Sequence, residues 1–88
     1  MSDVITITPE AILTEIQQNR RYFIRILREM KRNCEMGAAK TRVIGSFEGR
    51  VGAMQRIAAM CDANDLIRQL DEERSLFTET VAHEELFI

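Results

Sequence analysis

Residues 8–37 read TPEAILTEIQQNRRYFIRILREMKRNCEMG, and this stretch decides the fold. Thr8 is placed to cap a helix, Pro9 suits its first position, and Glu10 sits at the positive end of its dipole. Ile12, Ile16, Phe23, Leu27, Met30 and Cys34 then recur at steps of three and four, with Asn19 in the one gap. That is one apolar stripe on one helix, widened by Ile26. The pattern predicts helix 1 over residues 9–36, stopped by Gly37. Such a helix is roughly 40 Å long. In a chain of 88 residues it calls for a partner helix from a second subunit, hence a homodimer.

Working outward, Val-Ile-Thr-Ile-Thr at residues 4–8 reads as an extended arm. Phe47, Val51, Met54, Ala58 and Cys61 share one helical face, predicting helix 2 over residues 46–61. Val43 and Ile44 fit the same face and allow a start near Thr41. Asp62-Ala63-Asn64-Asp65 reads as a break and a new cap. Helix 3 follows over residues 65–81, carrying Ile67, Leu70, Phe77 and Val81, with Leu66 and Leu76 beside them. Residues 82–88 form a tail. The expected fold is all-α: a single three-helix domain with a long first helix, packed as a helical-bundle dimer. A hydrophobic content of 45% with 30% charged residues is that of a folded chain rather than a disordered one.

Charge is sorted along the chain. Residues 1–19 carry Asp3, Glu10 and Glu15 and no Lys or Arg. Residues 20–56 hold ten cations against Glu29, Glu35 and Glu48. Residues 57–88 hold Arg68 and Arg74 against eight acids. The net charge of −2 therefore conceals a strong dipole. On helix 1, Arg20, Arg21, Arg25, Arg28, Lys31 and Arg32 fall within about 140° of one another, opposite the apolar stripe. A face of this kind is solvated, meets an acidic protein, tracks a phosphate backbone, or is neutralised by the acidic third helix of its own or another copy. Lys40, Arg42 and Arg50 are further candidates for phosphate. No zinc-finger spacing or other nucleic-acid motif accompanies them.

Gly45, Gly49 and Gly52 align on a helical wheel, which fits close approach by a neighbour. The simpler expectation puts Gly45 in a loop and the other two in a weak first turn. Neither a Walker ending nor a preceding strand is present, so no nucleotide loop is read. Cys34 and Cys61 lie on apolar faces and are expected to be buried thiols. Two cysteines make no disulfide framework, and His83, the sole histidine, leaves metal ligation without a set. No cofactor is expected. The tail His83-Glu84-Glu85-Leu86-Phe87-Ile88 offers Leu86 and Phe87 as an apolar plug, for a partner or for its own bundle. Leu86-Phe87 is similar to the end of bacterial sliding-clamp-binding peptides, Gln-Leu-x-Leu-Phe; here the Gln is absent and Glu84 replaces the first Leu.

Cys34-Glu-Met-Gly-Ala-Ala-Lys40 is similar to the end of the first helix in the helical chorismate mutases, whose Val-Gly-x-x-Lys stretch supplies a substrate-binding lysine. The resemblance implies that role for Lys40. It covers about seven residues. The family's arginine near the start of helix 1 would fall around Ile12, and its Asp-x-x-Arg-Glu signature has only the echo Glu48-Gly-Arg50. No Ser-His-Asp or Cys-His set is present, and no carboxylate pair lies on an apolar wall.

The leading expectation is a small non-enzymatic regulator or adaptor. It would bind an acidic protein surface through Arg20, Arg21, Arg25, Arg28, Lys31 and Arg32, with Leu86 and Phe87 for grip. The second is a nucleic-acid-binding helical dimer using the same face, with Lys40, Arg42 and Arg50. The third is a chorismate-mutase-like enzyme. The opening residues have no basic start or apolar run, and no stretch reaches the ~20 apolar residues of a membrane span. The expected place is the cytoplasm, without a membrane partner. Such a regulator suits a bacterium or a phage.

Overall fold

The computed structural model describes residues 8–35 and 37–86. Three helices account for nearly all of them: α1 Pro9–Arg32, α2 Gly37–Met60 and α3 Asn64–His83. No strand occurs among the described residues. The expected arm lies outside the described residues apart from Thr8, as does Phe87. No described helix is long and apolar enough to cross a membrane.

α1 begins as its sequence dictates. The Thr8 Oγ1 accepts the Ala11 backbone N–H at 3.1 Å, and Pro9 occupies the first turn. The helix ends earlier than expected, at Arg32 rather than near Met36, and glycine does not stop it. Cys34 takes a left-handed φ of 57°, the Glu35 N–H donates to the Met30 carbonyl at 3.0 Å, and the Cys34 N–H donates to the Lys31 carbonyl at 3.1 Å. This pair of back-reaching bonds is a Schellman closure. Gly37 instead opens α2.

The same closure ends the other two helices. Asp62 has φ 54°, and the Ala63 N–H donates to the Ala58 carbonyl at 2.8 Å. Glu85 has φ 54°, and the Leu86 N–H donates to the Val81 carbonyl at 2.9 Å. All three left-handed positions are filled by residues with a Cβ, which are strained there. The four glycines of the chain stand elsewhere. Gly45, Gly49 and Gly52 all lie inside α2, which starts at Gly37 rather than in the range 41–46. A Cβ at Gly45 or Gly49 would meet nothing within 4 Å, so no neighbour approaches there. At Gly52 the nearest atom is an Arg74 guanidinium nitrogen at 4.0 Å.

The core sits where the three helices meet. α1 gives Ile16, Phe23, Ile24, Leu27 and Met30; α2 gives Phe47, Val51 and Ala58; α3 gives Leu66, Leu70, Phe77 and Val81. At its centre each helix contributes one ring. Phe47 stacks on Phe77 at 4.3 Å and meets Phe23 edge-on at 6.2 Å. α1 and α2 are both 24 residues long, so α1 is not the outlier its stripe suggested. Its apolar face is covered by α2 and α3 of the same chain. A second subunit is therefore not required to cover it.

Two expected core positions move outward. Cys34 and Cys61 are exposed, because each falls at or next to a helix closure, beyond the last packed turn. Ile24, off the predicted stripe, is buried. α1 packs against two neighbours, so its apolar face is wider than a single seam. The third helix begins one residue early, at Asn64, and its cap position is Ala63, with no side-chain bond.

Candidate functional site: the basic face of helix 1

The six cations of α1 separate into two sets. On a helical wheel Arg20 and Lys31 lie toward α3, while Arg21, Arg25, Arg28 and Arg32 fall within about 60° of one another on the outer surface. Arg20 is consumed inside the bundle: its Nε donates to Glu73 Oε1 at 2.8 Å, and Glu73 is buried. Lys31 Nζ donates to the Glu84 backbone carbonyl at 2.7 Å. Arg20 is thus held by a buried acid of α3, whereas Lys31 is exposed and reaches only the backbone of the residue that caps α3.

Arg28 belongs to the outer row and is also held. Its Nε and Nη2 donate to the two carboxylate oxygens of Glu84, each at 2.7 Å. Hydrogen bonding from Arg28 holds the Glu84 carboxyl below the usual carboxylate range, against an opposing desolvation and with lesser help from the charges of Arg28, His83 and Lys31. The same bond raises Arg28.

Arg21, Arg25 and Arg32 remain exposed, with no carboxylate partner among the described residues. Arg25 lies over the Tyr22 ring, 5.5 Å from its centroid. Tyr22 is 50% exposed and touches Phe23 edge-on at 5.5 Å. The outer surface of α1 is thus a row of four arginines on successive turns, with one exposed aromatic beside it. Like charges three and four residues apart destabilise a helix by some 0.2–0.5 kcal/mol per pair.

The other cations do not join this row. Lys40 is 3% exposed and sits in the first turn of α2, not at the end of α1 as the chorismate-mutase resemblance implies. Arg50 Nη1 donates to Asn19 Oδ1 at 2.6 Å, and its guanidinium lies 5.4 Å from the Phe23 ring centre. Lys40 and Arg50 are about 15 Å apart along α2 by helical rise. Arg42 is exposed. These three residues do not converge on one phosphate or dicarboxylate site.

Of the two apolar end residues, Leu86 is 1% exposed and folded onto its own bundle by the closure of α3, the alternative to a plug held out for a partner, while Phe87 lies outside the described residues. The polar clip between α2 and α3 was not foreseen. Gln55 donates to Asp71 Oδ1 at 2.8 Å and to the Ile67 carbonyl at 3.2 Å, while Arg74 donates to Gln55 Oε1 at 2.9 Å. Only contact between helices reveals it. Among the described residues no group of three His, Cys, Asp or Glu side chains is placed to hold a metal ion. In comparisons with protein families, curated proteins and solved structures, nothing matches this chain.

Proposed function

We propose that this chain is a small cytoplasmic adaptor that acts without catalysis, docking the outer face of α1 on an acidic protein surface. The observation that carries the reading is the exposed row of Arg21, Arg25 and Arg32, flanking Arg28 and bordered by Tyr22. The row costs the helix stability through like-charge repulsion, a cost that an acidic partner would relieve. Arginine and tyrosine are also the residues over-represented at protein-interface hot spots. Docking of this type has a fast, salt-sensitive association step. The reading does not depend on a homodimer, since α2 and α3 cover the apolar face of α1 within one chain.

The experiment is capture of the partner on the intact chain, with and without nuclease, compared with an Arg21→Glu/Arg25→Glu/Arg32→Glu variant of unchanged helicity. A protein retained after nuclease and lost with the variant supports the reading. Equal capture by the variant overturns it. Recovery of nucleic acid alone, falling steeply with salt as phosphate contacts release counterions, transfers the row to the alternative role of phosphate binding.

A further inference from the structure

A second surface lies at the other end of α1. Ile12, Ile16, Met54, Ile57, Ala58 and Leu66 line a groove of about 540 Å³, within the roughly 300–1,000 Å³ typical of ligand clefts. Ile57 is 45% exposed there. A flexible thioether in an apolar trough, here that of Met54, adapts to varied apolar side chains. The charged side chains that line it and its neighbouring cleft are acidic, one of them, Asp65, being paired with Arg68 at 2.7 Å. Glu15 lines the groove, and Glu10, Asp62 and Asp65 line the cleft that adjoins it across Pro9, Ala63 and Leu66. Among the described residues no Lys, Arg or His lines either one.

We propose that this groove binds an amphipathic helix whose apolar face enters it and whose flanking Lys and Arg side chains meet Glu10, Glu15 and Asp62. Helix-in-groove recognition uses apolar anchors on successive turns, and charge at the rim selects the partner. Complementarity of charge decides between this occupant and a second copy of the chain. A twofold dimer through the groove is isologous and would set these acids against their own counterparts. The adaptor would then carry two surfaces of opposite preference: arginines for an acidic protein and an acid-rimmed trough for a basic helix.

Cys61 lines the groove, whereas Cys34 lies beyond the end of α1, and both thiols are exposed. Their alkylation rates therefore report groove occupancy and its control in one sample. The probes are two synthetic Leu/Lys and Leu/Glu peptides of about 18 residues, long enough to hold a helix in water. Binding is read by fluorescence anisotropy and by thiol alkylation of the full chain. The Leu/Lys peptide is expected to bind and to slow alkylation of Cys61 about tenfold, with Cys34 unchanged; the Leu/Glu peptide does neither. Ile57→Asp, at a half-exposed position, should weaken binding about tenfold. Glu10→Lys/Glu15→Lys should do the same for the basic peptide and favour the acidic one. Arg21→Glu/Arg25→Glu/Arg32→Glu should leave the peptide affinity within about twofold, so the two surfaces fail separately. Equal binding of both peptides, or equal slowing at both cysteines, overturns the proposal. So does concentration-dependent protection of Cys61 without peptide, which assigns the groove to a second copy. Protection at every concentration assigns it to another part of the same chain, and that too overturns the proposal.

Discussion

Arg28 and Glu84 meet through two parallel hydrogen bonds of 2.7 Å, joining the outer row of α1 to the residue that caps α3. The carboxylate is held by a forked donor, the geometry that gives a surface ion pair its best chance of contributing. Its acidity is depressed in the folded chain, chiefly by that hydrogen bond. The contribution is therefore present above the ordinary carboxylate pKa and fades as pH falls through the lower folded value. Glu84→Gln is expected to lower thermal stability at neutral pH. The gap to the parent should close in acid, as a pair of melting series from pH 7 downward would reveal. A gap independent of pH would mean that the ion pair contributes nothing specific.

The misplacement of glycine predicts stabilising substitutions. Cys34→Gly and Glu85→Gly relieve left-handed strain at residues with φ 57° and 54°, and each should gain about 0.5–1.5 kcal/mol. Asp62→Gly should gain less, since aspartate tolerates this region. Gly45→Ala and Gly49→Ala, with open space around the new methyl, should each gain about 0.5–1 kcal/mol. Differential scanning calorimetry reads these as rises of roughly 4–8 °C per kcal/mol for a chain of this size.

Truncating the central ring should be severe. Phe47 is fully buried between Phe23 and Phe77, so Phe47→Ala should cost about 3–5 kcal/mol. Urea denaturation would report it as a lower midpoint with an unchanged slope. Phe47→Leu should restore much of the loss.

Arg20 and Glu73 behave differently from the exposed arginines. Arg20→Ala leaves the buried Glu73 carboxylate without its 2.8 Å donor, a loss of about 1–3 kcal/mol. Arg21→Ala, on the open surface, should stay within about 0.5 kcal/mol. Replacing Arg20 and Glu73 together by Met and Leu should recover most of the penalty. A double-mutant cycle in urea separates these outcomes.

Much of the architecture was legible because apolar period is a local signal. Thr8, Pro9 and the spacing of Ile12 to Met30 gave the start and inner face of α1 correctly, and Phe47, Val51 and Ala58 gave the inner face of α2 but not its start at Gly37. Helix ends were harder. Gly37 looked like a stop, yet closure falls at Cys34, because backbone bonds and the next helix outweigh a single residue's conformational preference. The candidate site was half legible. Which cations lie on α1 follows from sequence, but their division into held and exposed sets depends on acids 53 and 56 residues away. The acid-rimmed groove brings the end of α2 and the start of α3 to the start of α1, and no local pattern announces such an arrangement.

Asn19, the single polar residue in the apolar stripe, has a consequence for alignment. Its amide takes Arg50 of α2 at 2.6 Å and returns a bond to the Glu15 carbonyl at 2.6 Å. Sliding α2 by one turn along α1 would bury an equally greasy surface, since Leu, Ile and Met tolerate exchange. It would also strand the Asn19 oxygen away from its donor, at about 1–3 kcal/mol. The interruption of the stripe thus acts as a register pin, making one alignment of two otherwise permissive helices preferable to its neighbours.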